Sequence, residues 1–302
     1  MTEMKKICLL TNDVETTSIL NGGLRNETGI KVWKEGLPRL LDLYSEFNVK
    51  STFFFIADFA QEFPEIVKMV LPYGHEVACH GLTHDYKFSF DIMDYESQFL
   101  HLQESKKILE DISGQEVVSF RAPALRVNQF TPKALIDTGF KFDSSVAPQR
   151  LDIFLTLGSK NKLQWLGAPR NPYFVNEKNL ARKGSSILKE VPVSSFGIPY
   201  IGTTMRVSPF LNNITRNLLY FETKNSNKVV NFLIHPNELI EEEKLDEKLE
   251  RRSGNILKYL LADVLRSKLK VRNLGVPALE LYRMELLFWK KKNYEFKRIN
   301  EI

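Results

Sequence analysis

Apolar residues in the first half of the chain form short, nearly uninterrupted blocks, and stretches of helical periodicity lie between them. One block covers about residues 6–13, and a second, Val49–Ile56, contains three consecutive phenylalanines. Between the two blocks, apolar side chains recur at the spacing of one helix face: Leu37, Leu40, Leu41, Tyr44 and Phe47. Unbroken apolar blocks of this length are typical of strands that are buried on both faces of a parallel sheet.

The same alternation continues along the chain. Further helices are predicted at about 63–71, 91–111, 132–138, 209–221 and 278–292, and further strands at 75–80, 117–121, 141–145, 188–193, 229–234 and 294–299. Strands that alternate with helices predict parallel strands joined by crossover helices. The pattern therefore predicts the α/β fold class.

Two stretches depart from this pattern. Residues 150–186 contain scattered glycine, proline, asparagine and aromatic residues, which we interpret as a loop excursion over the mouth of the sheet. Residues 238–276 are highly charged and contain regularly placed leucines, which predicts a helical insertion. Because α/β barrels commonly reach about 250 residues or more as one unit, residues 1–302 are predicted to form a single domain.

Composition narrows the functional classes. Hydrophobic residues make up 43% of the chain and charged residues 26%, as in ordinary globular proteins. No apolar stretch is long enough for a transmembrane helix or for the core of a secretory signal, so we expect a cytoplasmic protein. The net charge of +5 favours anionic substrates or peripheral contact with lipid headgroups, and part of it comes from residues 290–292. No nucleic-acid-binding module is evident.

The first apolar block ends in two acids, Asp13 and Glu15. Side chains of a strand alternate between faces, so acids two positions apart project from the same side. Further along, His80 and His84 stand at i and i+4, and their imidazoles meet if the turn between them is helical. One carboxylate and two imidazoles are the protein ligands of many catalytic zinc sites. Either fragment alone is more often a solvated turn or a chance pair.

Other polar residues stand at the carboxyl ends of predicted strands. They are Arg121, Asp143 and His235. In α/β barrels this end of the strands carries the active site. The remaining histidines, His75 and His101, lie at a strand start and within a long helix, and we expect structural roles for both. Buried thiols behave as small hydrophobes, and Cys8 and Cys79 in predicted strands are expected to do so.

Four fragments stand in a characteristic order over roughly residues 5–240: Asp13-Val14-Glu15, His80-Gly81-Leu82-Thr83-His84, Phe120-Arg121-Ala122-Pro123 and Phe232-Leu233-Ile234-His235-Pro236. In these fragments and their order, the chain resembles the polysaccharide deacetylase family, the NodB-homology carbohydrate esterases. The resemblance implies a distorted (β/α)7-type barrel. It also implies a metal-dependent hydrolase that removes an N-acetyl group from an amino sugar or oligosaccharide.

The resemblance assigns roles to residues on one side of the site. Glu15, His80 and His84 would hold a divalent metal, zinc or alternatively cobalt, nickel or manganese. Asp13 would act as the general base, and Arg121 would hold it by a charge-assisted hydrogen bond.

On the opposite side, His235 matches the catalytic acid of the family. Asp143 is expected to pair with His235 and raise its pKa. The backbone N–H of Ala124 is expected to stabilise the oxyanion, because the preceding Pro123 has no donor.

The chain departs from the family pattern at three places. The first motif usually has two adjacent aspartates, the arginine motif usually ends in tyrosine rather than Ala124, and a tryptophan usually stands at Val146. These aromatic residues line the sugar groove in relatives, so their loss argues against a long chitin-like or peptidoglycan substrate. Trp33, Trp165 and Tyr173 are alternative stacking residues, but we expect each to pack in the core or in a loop.

Two other functions stay open at this point. One is a deformylase or amidase that acts on a lipid-linked amino sugar or a small cyclic amide. The other is a sugar-binding relative without catalysis, which need not hold a metal. For every one of these functions that involves a sugar, the expected partner is an N-acylated sugar or oligosaccharide, soluble or lipid-linked.

Overall fold

The structure is a computed structural model that describes residues 6–20, 23–149, 160–241 and 269–302. The strands are Ile7–Val14 (β1), Thr52–Phe55 (β2), Glu76–Cys79 (β3), Ser119–Phe120 (β4), Phe142–Asp143 (β5), Tyr173–Asn176 (β6), Asn179–Lys183 (β7), Lys189–Glu190 (β8), Ser195–Phe196 (β9), Ile198–Pro199 (β10), Val229–Ile234 (β11) and Glu295–Lys297 (β12). The helices are Asn26–Lys31 (α1), Leu37–Phe47 (α2), Ala57–Glu62 (α3), Glu65–Lys68 (α4), Tyr95–Ser113 (α5), Thr131–Asp137 (α6), Gly202–Val207 (α7), Pro209–Thr223 (α8) and Val276–Lys291 (α9).

The main sheet is parallel through its central strands. In the described part of the chain, seven neighbouring strands follow the order β11-β1-β2-β3-β4-β5-β8, and each adjacent pair is parallel. The sheet curls so that its ends approach each other: the Ser194 N–H, just after β8, donates to the Asn231 carbonyl of β11 at 2.9 Å. The predicted α/β class and the distorted barrel are therefore confirmed.

The two faces of the curled sheet have different partners because strand side chains alternate. Leu9, Phe54, Ala78 and Val191 form a small apolar cluster inside the barrel, and Ile299 from the C-terminal turn packs against them. The intervening residues of the same strands belong to the larger core between the sheet and the surrounding helices. The apolar cluster is therefore the floor of the barrel interior.

Helix α2 shows how the sequence pattern produces the outer layer. All five apolar residues predicted for its inner face are buried, and the helix ends at Asn48, which adopts a left-handed conformation with φ of 52°. The Tyr44 hydroxyl donates to Asn12 Oδ1 of β1 at 2.7 Å and lies 2.7 Å from the hydroxyl of Tyr282 in α9. Burial and this polar contact together fix α2 against β1.

Several elements differ from the sequence prediction. The helix predicted at 63–71 is limited to the single turn of α4, and an unpredicted helix, α3, follows β2 directly. The excursion predicted at 150–186 contains the antiparallel hairpin of β6 and β7, and β6 also pairs with β8. Most of the helical insertion predicted at 238–276, namely residues 242–268, lies outside the described residues.

Among the described residues, no helix is both long enough and apolar enough to cross a bilayer.

The outer core makes a stability prediction. Phe53 is fully buried, and its ring lies 5.0 Å from that of His75 and 6.1 Å from that of Tyr44, centroid to centroid. We expect Phe53→Ala to lower the free energy of unfolding by roughly 3–5 kcal/mol, because the cavity cannot collapse between sheet and helices. Denaturant unfolding measures this. The control Phe210→Ala, at a position that is 72% exposed, should change stability by less than about 0.5 kcal/mol.

Candidate active site

The carboxyl ends of the parallel strands bring the predicted residues together. Asp13 lies near the end of β1, and Glu15 comes directly after that strand. His80 comes directly after β3, and His235 comes directly after β11. The Nε2 atom of His80 lies 3.7 Å from Asp13 Oδ2 and 3.8 Å from Glu15 Oε2. The two acids therefore project from the same side of β1, as strand alternation predicts.

Glu15, His80 and His84 form a group whose ligand atoms all lie within 4.8 Å of one another. The Nε2 atom of His84 is 2.9 Å from Glu15 Oε2. Ligand atoms about 2.1 Å from a tetrahedral zinc are separated by about 3.4 Å. The three side chains are therefore close to the spacing that a metal ion needs.

The two histidines do not meet on a helical turn, as the i, i+4 spacing predicted. They are joined by an irregular loop in which Gly81 adopts a left-handed conformation with φ of 83°. His101 of α5 accepts a hydrogen bond from the Leu82 N–H at 2.7 Å and so ties this loop to the helix layer. Burial lowers the pKa of His101 to about 4, which keeps the imidazole neutral and able to accept. His101 therefore has the structural role that was expected, and this role is to hold the loop between the candidate ligands His80 and His84.

The hydrogen bonds of this group fit a metal ion. His80 Nδ1 lies 2.8 Å from the Arg121 carbonyl, which accepts only if that nitrogen carries the proton, so Nε2 is left with its lone pair toward the two acids. Metal-binding histidines are commonly held in this way by a carbonyl or carboxylate. Glu15 Oε2 is buried and has no hydrogen-bond donor in good geometry among the described residues, although His84 Nε2 is close.

The electrostatics of Glu15 and His80 agree with this fit, and the raised pKa of His84 reflects its contact with the Glu15 carboxylate. Burial alone would raise the pKa of the Glu15 carboxyl, but the neighbouring charges of His84, His235 and His80 lower it to about 2. Burial lowers the pKa of His80, which favours the neutral imidazole that a metal requires. Burial also opposes the charged form of His84, but Glu15 outweighs it and raises the pKa of His84.

Arg121 holds Asp13 in a fixed orientation. The guanidinium is fully buried, and its Nη1 donates to Asp13 Oδ1 at 2.7 Å. Its Nη2 donates to the hydroxyls of Thr11 and Ser144 at 2.9 and 2.8 Å, and its Nε donates to the Ser144 carbonyl at 2.9 Å. Asp13 Oδ2 is therefore left facing His80 Nε2 and, at 3.8 Å, the Nε2 atom of His235.

His235 pairs with Glu238 rather than with Asp143. Its Nδ1 lies 3.1 Å from Glu238 Oε1, and both residues belong to the tight 3₁₀ turn that follows β11. Burial opposes the charged imidazole, but the hydrogen bond to Glu238 and the charges of Glu15 and Asp13 raise the pKa of His235 to about 9. The imidazole is therefore protonated at neutral pH.

Asp143 has other partners, which corrects the pairing expected from the resemblance. The Ser145 hydroxyl donates to Asp143 Oδ1 at 2.6 Å and accepts from the Ala122 N–H at 2.9 Å. Burial raises the pKa of Asp143, and burial together with the adjacent Asp143 raises that of Glu190. The turn after β11 supplies its own carboxylate to His235, so Asp143 supports the segment after Arg121 instead.

Glu238 is itself held by Arg206 of α7. The two side chains form a buried ion pair, and the charge of Arg206 helps to lower the pKa of Glu238 to about 2 against the effect of burial. Arg206 Nη1 also donates to the carbonyls of Lys270 and Arg272 at 2.7 and 2.9 Å. Sequence reasoning missed both residues. An acid three positions after His235 was the available signal, because that position commonly hydrogen-bonds back to the residue that starts a turn.

The candidate oxyanion donor, Ala124, and the three candidate stacking residues lie in different environments. Ala124 is exposed and adopts a left-handed conformation with φ of 52°, and its role at an oxyanion stays a prediction. Trp165 and Tyr173 are only 2% and 5% exposed, and Trp33 packs against the Phe63 ring at 5.6 Å. As expected, these three aromatic residues serve packing.

A fixed acid, three convergent ligand side chains and a protonated imidazole are the parts of a metal-assisted hydrolase site. Parts of the chain are also similar to known proteins. Residues 27–142 match the family model described as polysaccharide deacetylase. This match includes His80, His84 and Arg121, whereas Asp13, Glu15 and His235 lie outside it.

Individual curated relatives each match less than half of the chain. A peptidoglycan deacetylase of Helicobacter pylori is 29% identical over 118 residues, which are 39% of this chain and 39% of the relative. A peptidoglycan-N-acetylglucosamine deacetylase of Bacillus cereus is 32% identical over 89 residues, or 30% and 31% of the two chains. The chain thus spans about a third to two fifths of the length of these curated relatives.

Among solved structures, one described as a "probable Polysaccharide deacetylase" from Pseudomonas aeruginosa PAO1 has a TM-score of 0.63 at 16% identity. The alignment covers 98% of this chain and 88% of that chain. Residues 27–142 are thus similar in sequence to polysaccharide deacetylases, and the chain shares the fold of this solved structure.

The His235 contact makes a pH prediction. In metal-free protein we expect Glu238→Gln to lower the pKa of His235 from about 9 by roughly one to two pH units, because a hydrogen bond to a charged group contributes roughly 1.5–3 kcal/mol. NMR titration of the His235 ring measures this. The matched control Asp143→Asn should leave the His235 pKa unchanged, and a fall in that variant instead would contradict the pairing described above.

The same shift has a stability consequence with a defined sign. A raised folded-state pKa stabilises the fold below the ordinary histidine value of 6.5, and this contribution is lost as the pH rises through about 9. The lowered pKa of Glu238 contributes above its ordinary value of 4.5 and is lost as the pH falls through about 2.

Proposed function

We propose that the protein is a metal-dependent hydrolase that removes the N-acetyl group of an N-acetylated amino sugar. One observation carries this proposal: Asp13, a Glu15/His80/His84 ligand group and the protonated His235 meet at the carboxyl ends of neighbouring parallel strands. Amide hydrolysis needs an activated water, a polarised carbonyl and a proton for the departing amine. The site offers one group for each need.

Glu15, His80 and His84 would hold the divalent metal, for which zinc is our first choice on the basis of the ligand types. When bound by these residues, a zinc ion would supply Lewis-acid polarisation of the carbonyl and would lower the pKa of water. Asp13 takes the proton of the attacking water at Oδ2, the oxygen that Arg121 leaves unoccupied. Arg121 keeps this carboxylate from rotating.

His235 donates the proton to the leaving amine. Glu238 keeps the imidazole charged and oriented through Nδ1, so that Nε2 faces the interior of the site. The N–H of Ala124 stabilises the negative oxygen of the tetrahedral state. The distances from Asp13 to Arg121 and His235 support the roles of Asp13 and His235, and the role of Ala124 is carried over from the resemblance.

The substrate class follows from the relatives and from the departures of this chain. The names of the curated relatives specify peptidoglycan and N-acetylglucosamine. In this chain Val146 is fully buried, and Ala124 offers no ring for stacking. We therefore favour a short N-acylated sugar, free or carried on a lipid, over a long polymer.

Activity is tested by release of acetate from N-acetylglucosamine and its short β-1,4 oligomers. We expect turnover that a chelator abolishes and zinc restores, and we expect Asp13→Asn to reduce kcat by roughly 10²–10⁴-fold. If the protein releases formate from N-formylated sugars but no acetate from N-acetylated ones, the acyl group in the proposal is formyl and not acetyl. Metal-loaded protein that hydrolyses none of these substrates would falsify the proposal.

Metal binding has a test that does not depend on activity. Isothermal titration with zinc should show one site, and His84→Ala should weaken it by more than the roughly 10–100-fold that is typical when only a hydrogen-bonding partner of a ligand is lost. Glu27→Gln, a change at an exposed acid outside the ligand group, is the control and should bind zinc as the unmodified protein does. Equal affinity in all three proteins would refute the ligand assignment.

A further inference from the structure

Helix α8 presents large apolar side chains to solvent along one side. Two of its phenylalanines, Phe210 and Phe221, are 72% and 62% exposed. The exposed apolar residues of the helix, here called the α8 stripe, are Phe210, Leu211, Ile214, Leu218 and Phe221. Their spacing of three and four residues places them side by side on one helix face, over about 16 Å. Single exposed apolar residues are normal on a surface, whereas a continuous row of them is typical of an interaction site.

The opposite side of α8 is mostly polar and is buried. Asn212, Thr215 and Thr223 are each no more than 2% exposed. Asn212 Nδ2 donates to Glu285 Oε1 of α9 at 2.9 Å, and the Thr223 hydroxyl lies 2.6 Å from the hydroxyl of Tyr294. Hydrogen bonds therefore hold the inner face of α8 against the fold, and the α8 stripe faces outward.

Basic side chains lie at both ends of the α8 stripe. At its C-terminal end, the Lys224 ammonium lies 4.7 Å from the Phe221 ring centroid, and the Lys292 ammonium lies 4.8 Å from the ring centroid of Tyr220. At its N-terminal end, Arg272 is exposed and donates to the carbonyl of the last residue of α7 at 3.4 Å. Basic and apolar side chains therefore share one surface.

The acids beside this surface are already paired. Glu222, the one acid in the sequence of α8, forms ion pairs with Arg170 and Lys228. Glu285 of α9 is 3% exposed, and its Oε1 lies 2.8 Å from Arg216 Nη1. Among the described residues, the charge that this surface offers to a partner is therefore positive.

We propose that the α8 stripe, together with Lys224, Lys292 and Arg272, is a docking surface for an anionic lipid bilayer. Phenylalanine and leucine side chains enter the boundary between headgroups and acyl chains, while lysine and arginine contact the lipid phosphates. A second copy of the chain would bring like charges together at the same stripe, so the charge pattern favours lipid over self-association. The proposal goes beyond the deacetylase function and does not depend on it.

Vesicle binding tests the docking surface. The 302-residue protein is sedimented with sucrose-loaded vesicles of phosphatidylcholine and phosphatidylglycerol in equal amounts, and we expect it to bind. Phe210→Gln combined with Phe221→Gln should lower the partition coefficient by at least about tenfold, because the burial of two phenylalanine side chains is lost. Both positions are exposed, so the thermal midpoint should stay unchanged.

The basic residues make a separate expectation. Lys224→Gln combined with Lys292→Gln should weaken binding by roughly fivefold for each lysine, since a basic residue near an anionic surface contributes about this factor. On vesicles of phosphatidylcholine alone, the same pair of changes should have no effect, because those headgroups carry no net charge.

Helix α5 supplies the control variants. Leu100 is 54% exposed, and Lys107 is an exposed lysine on the same helix. Leu100→Gln and Lys107→Gln make similar chemical changes outside the α8 stripe and should bind anionic vesicles as the unmodified protein does. Unchanged thermal midpoints in all variants separate loss of docking from loss of the fold.

The outcomes decide between a bilayer and other occupants. Absence of binding of the unmodified protein to anionic vesicles, or equal losses in the α8 and α5 variants, overturns the proposal. Binding that survives the phenylalanine changes but not the lysine changes is adsorption by charge alone and also overturns it. A dimer that the phenylalanine changes dissociate, seen by ultracentrifugation of protein that binds no vesicles, assigns the stripe to a second copy instead. Acetate release from soluble N-acetylglucosamine oligomers is independent of each of these results.

Discussion

The candidate site depends on one buried ion pair, between Arg121 and Asp13. Arg121 is completely removed from solvent, so its donors must be satisfied inside the barrel, and Asp13, Thr11 and Ser144 accept from it. Removing one partner of such a pair typically costs about 3–5 kcal/mol because a buried charge is left uncompensated. The ion pair that fixes the Asp13 carboxylate is therefore also a strong constraint on folding.

This constraint organises the barrel interior into layers. Leu9 and Phe54 belong to an apolar floor, and the guanidinium of Arg121 lies 4.3 Å from the Phe54 ring centroid. Above the floor, Asn231 accepts from the Thr11 hydroxyl and donates to the Ser144 hydroxyl, at 3.0 and 3.2 Å. The reactive side chains lie on top of this polar layer. A strand paired two residues out of register would place a different layer of side chains at the rim. The register of the strand hydrogen bonds therefore determines which side chains form the candidate site.

Much of this arrangement could be predicted from sequence because strand alternation and the common end of parallel strands are local rules. They placed Asp13, Glu15 and His235 correctly at the rim. Pairings that depend on tertiary distance could not be obtained in this way: motif order suggested Asp143 for His235, whereas the turn after β11 returns Glu238 to it. The β6–β7 hairpin was missed because its strands are short and polar residues soon interrupt their apolar positions.

The support of Glu238 links separate segments in the second half of the chain. Arg206, which holds Glu238, donates to backbone carbonyls of Lys270 and Arg272, and these residues come late in the chain. The orientation of the His235 imidazole therefore depends, through Glu238 and Arg206, on backbone carbonyls that come after it in the chain. A change in the backbone of that segment would reach the site without altering any of its side chains.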